Sequence, residues 1–173
     1  TLSLHDALPI WLLWLYLERE TDLLTRPVRL LHIAPEVCLM RRLKTRYRGH
    51  EELYVTADLE SPLARLHFDV QDIPLENDYA EVILCNHLLE HVADDAQALR
   101  ELYRVMKPGG WGILLSPVDP MRARTFEDDT ITDPAERTRL FGQYDHRRIY
   151  GRDYPARLRA AGFEVADIDY AGQ

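Results

Sequence analysis

From residue 28 onward, short apolar runs alternate with segments of helical periodicity. Val28 to Ala34 (VRLLHIA) reads as a first strand. Pro35 stands where a helix's first position would fall, and Val37 to Arg46 carries the helical spacing, with Gly49 as its end. Leu53 to Ala57 is a second strand closing on Asp58, and Leu66 to Val70 a third, broken by Ile73-Pro74. Glu81 to Cys85 is a short run with Val and Ile, the pattern of a strand buried on both faces. Asp94 and Asp95 offer an N-cap and a favourable charge for a helix whose apolar face is Leu99, Leu102, Tyr103 and Met106. Pro108-Gly109-Gly110 is expected to end that helix, and Trp111 to Leu115 to be the next buried strand. Strand, crossover helix and strand in this order make a βαβ unit, and repetition of the unit predicts a doubly wound, mostly parallel α/β sheet. Such sheets bind ligands outside the carboxyl ends of their strands, at the topological switch point.

The flanks obey the same logic. Pro9 to Leu24 reads as an amphipathic helix docked on the domain, with Trp11, Trp14 and Tyr16 in packing roles. Its apolar core, Ile10 to Leu17, is too short to span a bilayer and lacks the basic flank of a signal peptide. TLSLHDALPI does not begin with Met and differs in character from the rest of the chain, so residues 1–27 are expected to be a non-native leader plus the docking helix, and residues 28–173 the main domain. Beyond Ser116 a polar connection runs to Thr132; a long connection at a strand's carboxyl end is often functional. Asp133-Pro134-Ala135-Glu136 is a capping box for a short helix ending near Phe141-Gly142. GQYDHRRIYG, Gly142 to Gly151, is dense in hydrogen-bonding side chains. Arg152 to Ala161 is a helix with Gly162 behind it, and Phe163 to Tyr170 a last strand.

Composition narrows the classes. The net charge of -8 and pI near 5.3 leave no electrostatic footprint for nucleic acid or an anionic membrane. The basic residues Arg41, Arg42, Lys44, Arg46 and Arg48 fit a solvated helix face. Cys38 and Cys85 are expected to be buried free thiols, which suits a reducing cytoplasm, and two cysteines are too few for a structural zinc site. The chain has no G-x-G-x-x-G, G-x-x-x-x-G-K-[ST] or G-x-S-x-G, so dinucleotide, P-loop and α/β-hydrolase readings are unsupported.

Asn86-His87-Leu88-Leu89-Glu90-His91 after one strand, and Arg104-Val105-Met106-Lys107-Pro108-Gly109-Gly110 before the next, resemble the carboxyl half of the core of class I S-adenosylmethionine-dependent methyltransferases, of the type 11-like kind. The resemblance covers Val28 to Tyr170 and implies a Rossmann-like sheet with S-adenosylmethionine as cofactor. It implies that Asp58, closing the second strand, holds the ribose hydroxyls. FDVQDIPL is similar to the family's run after the third strand. In that register Asp69 contacts the adenine amino group and Val70 supplies a backbone N–H, with Asp72 the alternative if the register slips; Phe68 replaces the usual Gly. The first turn departs from the family's glycine-rich form. It reads His32-Ile33-Ala34-Pro35-Glu36, which resembles a bacterial subgroup with H-x-A-P-E at this place. There Ala34 stands in for glycine, His32 for the usual acid, and Glu36 meets the cationic amino group of the methionine moiety. The other reading is a closed pocket in a non-catalytic relative. The same subgroup carries a zinc-ribbon segment that this chain lacks, and the family's sheet usually has a further antiparallel strand, so truncation at both ends is expected.

On this resemblance Asn86 and His87 face the transferred methyl. Gln143, Asp145, His146, Arg148 and Tyr150 form a substrate-facing wall, the subgroup carrying a similar run. His146 or His87 would be the base for an oxygen acceptor, since histidine titrates near neutrality. The methyl acceptor, small molecule or macromolecule, is not named by the sequence. His87-x-x-Glu90-His91 also matches the H-x-x-E-H zinc-peptidase pattern, which needs one long helix through both histidines. The segment leaves a strand at Cys85 and its helix begins near Asp95, so no metal is expected from that pattern.

Overall fold

A computed structural model describes residues 10–168. Its central feature is a five-stranded parallel sheet in the order β3-β2-β1-β4-β5, formed by β1 (Leu30–Ile33), β2 (Tyr54–Asp58), β3 (Leu66–His67), β4 (Ala80–Asn86) and β5 (Met106–Leu115). The order reverses between β1 and β4, which pair His32 with Leu84 and Ile33 with Cys85. The carboxyl ends of these two strands flank the switch-point crevice.

Alternation along the strands divides the core into two layers. Leu31 and Ile33 of β1 and Ile83 and Cys85 of β4 face one layer, where Ala98, Leu99 and Leu102 of α3 (Asp95–Val105) and Leu158 of α5 (Tyr154–Ala160) cover them. Leu30, Val82 and Leu84 face the other, covered by Leu39 and Leu43 of α2 (Val37–Arg46) and Leu13 and Leu17 of α1 (Ile10–Glu20). Helices on both faces explain why β1 and β4 are apolar runs without polar alternation. Each buried leucine contributes about 2 kcal/mol of burial free energy.

The helix starts are chemically specified. Asp94 Oδ1 accepts the Gln97 N–H at the start of α3. Asp133 Oδ1 accepts the Glu136 N–H at the start of α4 (Pro134–Phe141), whose Pro sits in the first turn and whose end is Gly142 in the left-handed region.

Several sequence expectations are corrected. Glu36, not Pro35, borders α2, and Tyr47 closes it before Gly49. The third strand is confined to Leu66–His67, because Asp72 N–H turns back to the Asp69 carbonyl. α3 stops at Val105, and Pro108-Gly109-Gly110 lies inside β5 as an irregularity, where the partner register shifts between Ala80 and Val82. Gly109 takes φ 76°, and a Cβ on Gly110 would lie 2.7 Å from the Glu81 carbonyl oxygen. Cys38 is exposed and only Cys85 is buried; both are free. Residues 163–168 form no strand, while the rest of the expected strand and residues 1–9 lie outside the described residues. A feature the hydrophobic pattern does not announce is an antiparallel ribbon of β6 (Phe126–Glu127) and β7 (Arg148–Ile149), which folds the connection after β5 back over the carboxyl end of the sheet.

Candidate functional site

The crevice is built first by the turn after β1. Ala34 has φ 48°, the left-handed region that favours glycine, and its N–H donates to the Ala57 carbonyl at 2.8 Å. The glycine-free turn therefore keeps the backbone path that glycine would permit, with only a methyl group added. Two residues on, Glu36 carries a partly buried carboxylate that spans the switch point. Its Oε2 meets His32 Nε2 at 3.1 Å, and its Oε1 accepts a hydrogen bond from Asn86 Nδ2 at 3.1 Å. Burial would raise the Glu36 carboxyl, but the hydrogen bonds from His32 and Asn86 outweigh it and hold the group below the usual carboxylate range. An ionised Glu36 can only accept, so His32 Nε2 donates to it, and His32 Nδ1 is hydrogen-bonded with the Tyr54 hydroxyl at 2.9 Å. Burial raises the Tyr54 phenol far above its ordinary value, which keeps its hydroxyl protonated. This fully buried histidine thus has a polar partner on each ring nitrogen. Its place is structural: it holds Glu36 from behind.

Asn86 is 2% exposed, and its Oδ1 is buried with no hydrogen-bond partner among the described residues. The amide cannot be turned round, because that would set its oxygen against the Glu36 carboxylate. A buried acceptor left open beside a carboxylate asks for a donor, and for a positively charged one above all. Asp58 closes β2 with Oδ1 accepting the N–H groups of Glu60 and Ser61 at 2.9 and 2.8 Å. Its other oxygen has no hydrogen bond to the described residues. Asp69 differs: both oxygens are engaged by Gln71, and its side chain is exposed. Val70 is buried beside it.

The second half of the site lies beyond β4. His87 has φ 51°, and its N–H extends the sheet ladder to the Leu115 carbonyl at 2.8 Å. Its ring lies 3.7 Å from the Glu90 carboxylate, which raises the imidazole above its ordinary value. Glu90 is 2% exposed and its Oε2 accepts the Ser116 hydroxyl at 3.0 Å. His91 and His146 meet edge to face with ring centroids 4.7 Å apart. The turn through residues 88–93 is not a helix, so the zinc-peptidase reading fails: His87 and His91 do not share a helix face.

Of the expected substrate wall, Gln143 and Asp145 stay near the surface, with Gln143 Nε2 donating to Asp145 Oδ1 at 2.9 Å. His146 is buried at 8%. Arg148 and Tyr150 correct the expectation. Arg148 is 3% exposed and donates to the carbonyls of Leu89, Val92 and Ala93 at 2.7 to 2.9 Å. Tyr150 is fully buried, its hydroxyl within 2.8 Å of Asp95 Oδ2. Both spend their polar atoms inside the protein and hold the 88–93 turn rather than face a ligand. The residues that sequence reasoning does not place are Tyr54, Ser116 and the Asp95–Arg157 pair, closed at 2.6 Å. Each lies more than 20 positions from its partner, and no local pattern announces it.

A cavity of about 1330 Å³ lies elsewhere, along the outer edge of β5, between α1 and the segment after α5. The chemistry-bearing residues gather at the carboxyl ends of β1, β2 and β4, and it is their geometry that defines the site.

Comparison with known proteins agrees with this architecture. Residues 23–114 match the family described as "Methyltransferase domain", and the chain belongs to that family. Among curated relatives, a "Probable S-adenosylmethionine-dependent methyltransferase" of Mycolicibacterium smegmatis is 27% identical over 101 residues, covering 58% of this chain and 35% of the relative. The chloroplastic 2-methyl-6-phytyl-1,4-hydroquinone methyltransferase of Arabidopsis thaliana is 36% identical over 70 residues, 39% of this chain and 21% of that protein. The chain thus spans about a third or less of the length of these relatives. Among solved structures, the YcgJ protein of Bacillus subtilis superposes with a TM-score of 0.53 at 17% identity, covering 82% of this chain and 64% of that one. The [4+2]-cyclase SpnF superposes with a TM-score of 0.53 at 21% identity, covering 87% and 59%. These structural likenesses establish the fold.

Proposed function

We propose that this chain transfers a methyl group from S-adenosylmethionine to a small-molecule or macromolecular acceptor, as a cytoplasmic bacterial enzyme. The observation that carries the reading is the Glu36–Asn86 pair across the switch point, with the Asn86 Oδ1 acceptor left open. An ionised carboxylate and a buried amide oxygen together suit the ammonium group of an amino-acid moiety. The second oxygen of Asp58, without a hydrogen bond to the described residues, suits a ribose hydroxyl, and the apolar, buried Val70 suits a neighbour of the adenine ring. Asp69 keeps a lesser part, since Gln71 already occupies its carboxylate. Ala34 lets the backbone approach the ligand, and His32 fixes Glu36. The cofactor supplies an electrophilic methyl on a sulfonium; the chain supplies alignment, in which proximity does most of the work. For an oxygen acceptor, His87 is the base, because its ring is partly exposed at the end of β4, whereas His146 is buried. Gln143 and Asp145 contribute to the acceptor wall. A cytoplasmic setting is supported by the exposed free thiol of Cys38. No helix among the described residues is long and apolar enough to cross a membrane.

A non-catalytic ligand-binding relative is the second reading, favoured by the glycine-free turn and by a cavity of about 1330 Å³ that lies away from the crevice. Calorimetric titration with S-adenosylhomocysteine separates the two. Micromolar binding, weakened at least tenfold by Asp58→Ala and by Asn86→Ala, is expected; tenfold is about 1.4 kcal/mol. No binding by folded protein overturns the methyltransferase reading.

A further inference from the structure

The cluster Glu90, His91 and His146 offers one ligand atom from each residue, all within 4.8 Å of one another. We propose that these three residues bind a divalent transition-metal ion such as zinc. Each of the three groups has an atom left to offer a metal ion. His146 Nδ1 lies 3.0 Å from the Phe141 carbonyl, which can only accept, so Nδ1 holds the proton and Nε2 the lone pair. His91 Nδ1 lies 3.3 Å from Asp145 Oδ2, and the same reasoning leaves its Nε2 as the acceptor. An oxygen acceptor on the far nitrogen is the usual support of a metal-binding histidine, fixing both tautomer and ring plane. Glu90 adds a buried carboxylate steadied by Ser116. One ligand atom from each of the two imidazoles and the carboxylate lies within 4.8 Å of the others, and among the described residues no lysine or arginine side chain pairs with any of them, the other face of Glu90 meeting His87 at 3.7 Å. A divalent cation would engage all three groups at once, which His87 beside Glu90 does not.

Preorganisation is the second strand of the argument. Arg148 fixes the turn carrying Glu90 and His91 through three carbonyls, and the Arg147 N–H adds a bond to the Glu90 carbonyl at 2.8 Å. The segment carrying His146 is therefore fastened directly to the turn carrying the other two ligands. Two histidines and one carboxylate leave a coordination position open, the arrangement of ions that take a water or substrate oxygen rather than of closed structural sites. The pattern differs from the zinc-peptidase motif in the same stretch, because His146 replaces His87 as the second imidazole and no helix is involved.

The test is calorimetric titration of chelator-treated, dialysed protein with zinc chloride, paired with the absorption spectrum of the cobalt-loaded protein. One equivalent bound at micromolar affinity or tighter is expected. His91→Ala and His146→Ala should each weaken it at least tenfold, while the exposed His50→Ala leaves it unchanged. His91 is the partly exposed member, so His91→Ala keeps the fold, as circular dichroism would verify, and decides the matter should His146→Ala unfold. Absence of saturable binding, or binding that folded His91→Ala leaves intact, overturns the proposal. S-adenosylhomocysteine titrated into the same metal-free protein tests the crevice separately.

Discussion

At the scale of single residues, Arg148 does the most to hold the site. Its guanidinium satisfies three carbonyls of a turn that has no ladder of its own, and it reaches Glu127 Oε2 at 3.0 Å. Arg148→Met should cost at least about 3 kcal/mol, since buried acceptors lose their donors and Asp95 loses a neighbouring positive charge. Arg148→Lys should recover little, because a point-like ammonium cannot span three carbonyls. Urea denaturation of the variants measures both effects. Ala34 makes a smaller and opposite case. Its left-handed backbone costs an L-residue about 1 kcal/mol. Ala34→Gly should leave stability unchanged or raise it by up to about 1 kcal/mol, after the entropy that glycine brings to the unfolded chain. Ala34→Val should lower it, and the same denaturation series shows the sign of each.

At the scale of elements, the two helix caps give matched predictions. Asp94→Ala and Asp133→Ala each remove a side-chain acceptor for a first-turn N–H and should each cost about 1 kcal/mol, read as a shift in the thermal midpoint. These helices are legible in the sequence because capping and apolar spacing are local. β1, β2 and β4 are legible for the same reason, as apolar runs covered on both faces. What escapes is set by distance along the chain. Lys107-Pro108-Gly109-Gly110 reads as a turn, yet it is stretched along β4 because the two strands pair on either side of it. Arg148 and Tyr150 read as polar wall residues, yet their partners near residues 89–95 bury them. The same separation hides half of the candidate site. Glu36 and Asn86 each stand out in the sequence, but their hydrogen bond spans 50 positions and arises only from the pairing of β1 with β4.

At the scale of the whole molecule, the buried carboxylates set the acid limit. Burial would raise Asp95, but the hydrogen bonds from Arg157 and Tyr150 and the charge of Arg148 outweigh it, so its pKa is lower folded than unfolded. Glu36 is likewise lowered. A group lowered by folding adds stability that is complete above its unfolded value, about 4 for these carboxyls, and is lost as pH falls through the folded value. The carboxylates' share of the stability should therefore be complete above pH about 5 and decline below about 4, while His87, raised by Glu90, adds a share that is present below about 6.5 and is lost as pH rises through its folded value. Asp95→Asn should be less stable at neutral pH and converge on wild type in acid, as denaturant midpoints across the pH range would show.

The clamp has a consequence for the order in which the protein is made. The turn bearing Glu90 and His91 is anchored by residues that lie 55 to 61 positions further along the chain. During synthesis β1 to β5 and α3 leave the ribosome while that turn has only Ser116, through Glu90, to hold it. The strands emerge early, but the turn is not clamped until Arg148 and Tyr150 follow. Any arrest or cleavage before Arg148 would leave the 88–93 turn unclamped and the core without Tyr150, Tyr154 and Leu158, so emergence of the strands and closing of the turn are separate events in the life of this chain.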